Sequence, residues 1–435
     1  MLERLTDIAS RALKSDTVGN TFWLAASSGI NGLIGAVLAG ILARFLGVEE
    51  YGIYTLIIML LAMLTDVADL GVSSSIVRFG SESIAEGNRE KLRTVISIVA
   101  RWKLIIGIVL VAISLLFLDT IIRYVFQHVD ASIASYFRLS LVALALSVLA
   151  GIFIPIYQSF KKFRSYSLIL SSRSVLKLLL VLAAVFIFAE YSIWTLIWIE
   201  VVIGGFFLLV MFGFSPFKNI SLNRFDKGLE KKMFSFNKWI SLYQGIALIS
   251  GRLDVAFVGG LADAHALGLY GAATKILGLM SLVSGAYMNV LLAELSSSLS
   301  PEVLRRKRKH AFAVVGIIIL GIACIAVIAD PLVSLIFSKD FIDAAAVLQI
   351  LCVGLVFAVL SYPLTASLFA MNNSVVFPVT SVAAMATLVG ASFYLIPLMG
   401  VKGAALAFVA SNFISFAITA AYYLFITKRA SVSSP

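Results

Sequence analysis

Cysteine, histidine and charge are all scarce in this chain, and each scarcity removes a class of function. The two cysteines, Cys324 and Cys352, lie inside apolar runs and read as packing residues, so a disulfide scaffold is excluded. The three histidines, His128, His265 and His310, fall in loops or at helix ends, which leaves no buried imidazole for general-base chemistry. No G-x-x-x-x-G-K-[ST] stretch occurs, so no ATP site of the Walker type is expected. No connection is long enough to hold an appended soluble domain, and a polymerase's large outer loop is missing. An enzyme is therefore not expected, nor a cofactor or a metal site. Charged residues make up 13%, where a soluble domain carries about 25%.

What fills the space is apolar. Hydrophobic residues account for 61% of the 435 and the mean hydropathy is +1.03. A water-soluble fold cannot bury so much apolar side chain, so the excess must face lipid. A spanning helix needs about 20 mostly apolar residues. Twelve stretches qualify: 19–46, 51–78, 94–118, 133–159, 166–188, 191–213, 238–261, 267–294, 311–336, 343–370, 375–398 and 403–427. They are far too long for the alternating strands of an outer-membrane barrel. Residues 1–17 contain Glu3, Asp7 and Asp16 and read as a short amphipathic helix on the membrane surface.

The net charge of +11 would suggest nucleic acid in a soluble protein; here it reads as topology, with no nucleic-acid partner. Of the 34 Lys and Arg, 23 fall in segments that are inner if the N-terminus is cytoplasmic, three in outer ones, and eight within spans. That asymmetry predicts a multi-pass protein of the cell membrane with both ends cytoplasmic. The basic inner connections 214–237 and 295–310 are expected to meet anionic lipid.

The chain also repeats itself. Gly52-Ile53-Tyr54 and Gly268-Leu269-Tyr270 are 216 residues apart, and the same offset carries Arg89, Lys91 and Arg93 onto Arg305, Lys307 and Lys309. Pro155 and Pro363 continue the order after a short deletion, and both are expected to kink their spans. The expected fold is all-α: a polytopic membrane protein whose twelve helices form two six-helix lobes. The first lobe spans 1–214, a basic cytoplasmic linker 215–237, and the second lobe 238–435. Six is even, so the halves are parallel repeats related by an axis along the membrane normal. A single chain of this kind is expected to act as a monomer.

Three stretches resemble motifs of a known family. Leu46-Gly47-Val48-Glu49-Glu50-Tyr51-Gly52-Ile53-Tyr54 is similar to its turn between the first two helices. Asp69-Leu70-Gly71-Val72 through Arg78 is similar to its exit from helix two. Asp254 with Gly268-Leu269-Tyr270, Ala272-Ala273 and Lys275 is similar to its signature across helices seven and eight. The chain thus resembles the polysaccharide flippases of the multidrug/oligosaccharidyl-lipid/polysaccharide exporter superfamily. The resemblance implies a fourteen- or twelve-helix, V-shaped, two-lobed transporter that moves polyprenyl-linked oligosaccharides from the inner to the outer leaflet.

Ionisable residues within spans are costly and become functional candidates. Arg173 and Lys177 are four apart on span five and share a face. Lys177 lies near the midplane, and a cation stripe there suits a phosphate headgroup. Arg252 is a second such candidate, with Lys275 and Arg44 completing the substrate-binding set. Asp66 and Asp69 share a face of span two and are expected to bind a coupling proton or Na⁺, Asp66 being the deeper. Asp254 is the third coupling candidate, with Lys275 as its expected clasp. Arg101, Lys103, Glu294, Arg138 and Asp330 read as interfacial anchors, and the partner of Glu200 is not legible. The leading function is an ion-coupled flippase for a polyprenyl-(pyro)phosphate-linked glycan. The alternative is a cation-coupled multidrug antiporter of the same fold, which would favour acidic and aromatic groups over embedded cations.

Overall fold

A computed structural model describes residues 16–125, 133–188, 192–214, 224–296, 301–371 and 376–432. The expected surface helix at 1–17 falls almost wholly outside them. Among the described residues the chain is all-helical, without a strand. In hydrocarbon each backbone N–H and C=O must be satisfied within its own segment, which long apolar runs achieve as helices.

The first helix, α1, runs Asp16–Asp69. There follow α2 (Arg89–Val125), α3 (Ile133–Ala150), α4 (Ile154–Ser159), α5 (Phe163–Leu182) and α6 (Ile193–Phe214). Next come α7 (Lys227–Ser250), α8 (Leu253–Leu261), α9 (Ala264–Ser296), α10 (Pro301–Val327) and α11 (Ala329–Ile336). The chain closes with α12 (Ala344–Ala370), α13 (Val376–Met399) and α14 (Val401–Val432). Ten helices among the described residues are long and apolar enough to cross a membrane. Their outward side chains are apolar: Ile108 and Leu116 on α2 are 66% and 76% exposed, a face suited to lipid.

The first of the ten, Trp23–Ala85, holds two of the expected spans. They meet at Gly47, which breaks the helical path with φ 75 and ψ 178, a conformation that glycine adopts without Cβ strain. The expected span 238–261 is divided between α7 and α8 at Gly251 and Arg252. Two further differences concern breaks. The expected span 311–336 is interrupted at Ile328, which separates α10 from α11. The expected kink at Pro155 is a full break: turns at 151–153 end α3, and Pro155 sits in the first turn of α4, where its missing N–H is not needed. Pro363 lies inside the continuous helix α12.

The chain divides into two compact units. One comprises Met1–Leu38, Ile57–Val125 and Asp130–Arg252; the other comprises Ala39–Leu56, Phe126–Val129 and Leu253–Pro435. The expected linker 215–237 is partly folded. Residues 215–223 lie outside the described set, but Leu229 and Met233 of α7 are buried in the first unit's core with Leu92, Val95, Val99 and Phe153. A second core of that unit gathers Leu61, Ala68, Leu141, Leu144 and Val148.

The second unit explains the first motif. Gly52 and Gly268, the two copies of the repeated tripeptide, lie against each other. A Cβ on Gly52 would strike the Ala264 carbonyl and the Gly268 nitrogen; a Cβ on Gly268 would strike the Val48 carbonyl. Tyr51 is 1% exposed and packs edge-on against Phe337 and Phe341, centroids 6.2 and 5.7 Å away. The motif therefore encodes a backbone-to-backbone helix contact, which only small residues permit.

Candidate functional site

The Asp69-Leu70-Gly71 stretch ends α1 abruptly. Leu70 and Gly71 take positive φ (27° and 76°), and the carbonyl of Leu70 is picked up by Ser241 Oγ at 2.5 Å and Asn237 Nδ2 at 3.4 Å. This break, together with the α3–α4 break at 151–153, frames a cavity of about 390 Å³ in the first unit. Its polar lining includes Thr65, Asp66, Asp69, Ser73, Lys103, Ser147, Gln158 and Tyr166.

Two carboxylates and their cations set its electrostatics. Asp69 pairs with Lys103 at 2.7 Å and accepts from Ser73 Oγ at 2.5 Å. Lys103 also donates to the Gly151 carbonyl at 2.8 Å and to Ser73 Oγ at 3.0 Å. Asp66 pairs with Arg252 at 2.6 Å, and both side chains are about one-third exposed. Arg173 reaches the same cavity wall by donating to Ser147 Oγ at 3.2 Å. Four of the eight residues singled out from sequence thus gather here: Asp66, Asp69, Arg173 and Arg252.

Lys103, which sequence reads as an interfacial anchor, belongs to the site. It is 4% exposed and makes three polar contacts, so it is not an interfacial anchor. Its partners come from the end of α1, from Ser73 and from the α3–α4 break, none of which its place near the start of an apolar run reveals. Arg101 is no simple anchor either: it donates to the Arg224 carbonyl at 2.8 Å and stacks over Phe225. Replacing Lys103 with Met should cost about 2 kcal/mol in thermal unfolding of the detergent-solubilised protein, because the Gly151 carbonyl and Asp69 lose their donor. Adding Asp69→Asn should recover part of that loss, and an additive double variant would refute the coupling.

The other candidates lie elsewhere. Lys177 forms an ion pair with Glu200 of α6, the partner that sequence could not supply; Glu200 is 7% exposed. Arg44 caps a helix rather than lining a polar site. Its guanidinium donates to the carbonyls of Leu335, Ile336 and Phe337, where α11 ends with unpaired acceptors. Asp254 is held by Tyr270, whose hydroxyl donates at 2.8 Å, and by the Val255 N–H at 2.8 Å. Lys275, the partner expected from sequence, is exposed on α9. Tyr270 was legible only as a motif letter. Among the described residues, no three His, Cys, Asp or Glu side chains are placed to hold a metal ion.

Chemically, the first-unit cavity offers salt-bridged carboxylates in water-accessible space.

Comparison with known proteins agrees with a membrane transporter. A Shigella flexneri protein described as a candidate O-antigen transporter is 22% identical over 397 residues, covering 89% of this chain and 93% of that one. In fold, the chain is similar to the lipid II flippase MurJ in an inward closed conformation (TM-score 0.74, 17% identity, 93% of this chain and 87% of that one). It is also similar to an inward-facing multidrug resistance MATE family transporter of the MOP superfamily (TM-score 0.73, 15% identity, 94% and 96%). The model of one family, described as polysaccharide biosynthesis protein, matches residues 41–346, more than half of the chain, and the chain belongs to that family.

Proposed function

We propose that this protein is a flippase: it carries a polyprenyl-(pyro)phosphate-linked oligosaccharide from the inner to the outer leaflet of the cell membrane by alternating access. It is a transporter and not an enzyme, in keeping with the family and with the relatives' descriptions. The observation that carries the reading is the Arg252–Asp66 pair on the cavity of the first unit. A guanidinium matches phosphate oxygens with two parallel donors. The headgroup would draw Arg252 from Asp66, and Asp66 would take up H⁺ or Na⁺ in exchange, coupling transport to an ion gradient. Arg173 and Lys177 would add positive charge beside the path, and Asp69 would stay committed to Lys103. In this reading the halves 1–214 and 238–435 move as lobes, both ends are cytoplasmic, and the protein works as a monomer.

The test is lipid-linked glycan in the outer leaflet of cells that depend on this chain. Arg252→Ala should reduce it at least tenfold at equal protein level, and Arg252→Lys, which keeps charge but loses the fork, should fall between. Unchanged transport in Arg252→Ala and in Lys177→Ala would sink the mechanism. The fold shared with the MATE transporter supports one second reading, a cation-coupled drug antiporter. Efflux of an ethidium-like dye that Asp66→Asn abolishes would favour it.

A further inference from the structure

The segment between α1 and α2, helical over 72–85 and turning at 86–88, builds a second pocket with the start of α2. It encloses about 580 Å³, and its lining includes Ile84, Gly87, Arg89, Leu92, Arg93 and Phe160. Three of these are apolar, and Leu92 is 3% exposed as part of the first unit's core. Two are guanidinium groups, four residues apart on α2 and so on one face.

The charges around the pocket are not balanced. The acids of this segment are taken up by other cations. Lys91 holds Glu82 at 2.7 Å and Glu86 at 3.0 Å, and Arg224 approaches Glu90 at 3.5 Å. Among the described residues neither Arg89 nor Arg93 has an acidic partner. The turn is also fixed before any ligand arrives. Gly87 has φ 66, the Asn88 N–H bonds the Ser83 carbonyl at 2.9 Å, and Asn88 Oδ1 accepts from the Lys91 N–H at 2.9 Å. A preformed site loses less entropy on binding.

We infer that Arg89 and Arg93 form a binding site for the phosphate of an anionic phospholipid. A free phosphate would need the two arginines but not the apolar floor; a lipid uses both, its phosphate on the guanidiniums and the start of its chains on Leu92, Ile84 and Phe160. The pocket stands at the charged start of a helix long and apolar enough to cross a membrane, and the end of such a helix is where headgroups would meet it. Lys161 and Lys162 follow Phe160 directly, so a headgroup that carries its own positive charge is disfavoured. The inference does not depend on what the protein transports.

The experiment is lipid binding to the full-length protein by native mass spectrometry, titrating phosphatidylglycerol and phosphatidylcholine. Phosphatidylglycerol should bind at least tenfold more tightly than phosphatidylcholine, and the Arg89→Gln/Arg93→Gln variant should lose roughly tenfold in that affinity. Lys161→Gln/Lys162→Gln should lose less than threefold. Arg89→Lys/Arg93→Lys should recover part of the affinity, which separates charge from any folding defect. Equal binding of both lipids, or no change in the Arg89/Arg93 glutamine variant, would overturn the inference. Complete displacement of the lipid by millimolar inorganic phosphate would also overturn it, by showing a site for the free anion.

Discussion

Gly268→Ala will destabilise the protein, and Gly278→Ala, ten residues further along the same helix, will not. The two substitutions are chemically identical, so tertiary environment alone separates them. At Gly278 a Cβ meets open space, with no atom within 4 Å. There alanine lowers the conformational freedom of the unfolded chain and improves helix propensity, worth up to about 1 kcal/mol. At Gly268 the Cβ would overlap the Val48 carbonyl oxygen and press on the Val48 carbonyl carbon at 2.9 Å. Backbone atoms cannot swing aside as a side-chain end can, so the helices must separate. Tyr51, fully packed against Phe337 and Phe341, would move with them. The expected cost is about 3 kcal/mol or more, and Gly268→Val should leave little folded protein. Thermal unfolding in detergent gives the sign directly. A Gly268→Ala protein as stable as the unaltered chain would mean that Gly268 does not lie against the Val48 carbonyl.

The second large effect is expected at Glu200. Replacing it with Gln removes the counter-ion of Lys177 from a site where the acid is 7% exposed. Breaking one side of a buried pair costs about 3 kcal/mol, because the remaining charge keeps its desolvation penalty. Removing both sides is different: Lys177→Met with Glu200→Leu should recover most of the loss, since well-packed apolar residues often replace a buried pair without cost. If Lys177 instead serves the substrate and Glu200 merely neutralises it at rest, the stable double variant should still transport poorly. A double variant that is stable and fully active would make the pair structural only.

The same residues show how far sequence reaches. Asp66 and Asp69 were placed together correctly, because three residues on one helix always share a face. Arg252 was legible as an embedded cation, but its partner lies 186 residues away, and no spacing rule connects the two. Glu200 had no assignable partner for the same reason. Lys103 read as an anchor because its partners, Asp69, Ser73 and the Gly151 carbonyl, lie on other segments of the chain. Arg44 is a candidate only through the family resemblance, in which span one lines the cleft. Its acceptors are backbone carbonyls at the end of α11, and that end exists only because Ile328 and Phe337 bound a short helix there.

Scarcity of charge and cysteine, set against 61% hydrophobic residues, determined by itself that the chain crosses a membrane repeatedly as helices. Lipid offers the backbone no hydrogen bonds, so composition and run length are enough to decide that much. Which embedded charges face one another, and where the breaks at Leu70 and at 151–153 turn helices into walls of a polar cavity, was decided by tertiary structure. Pairing energies depend on distances across helices, and the sequence orders residues only along them.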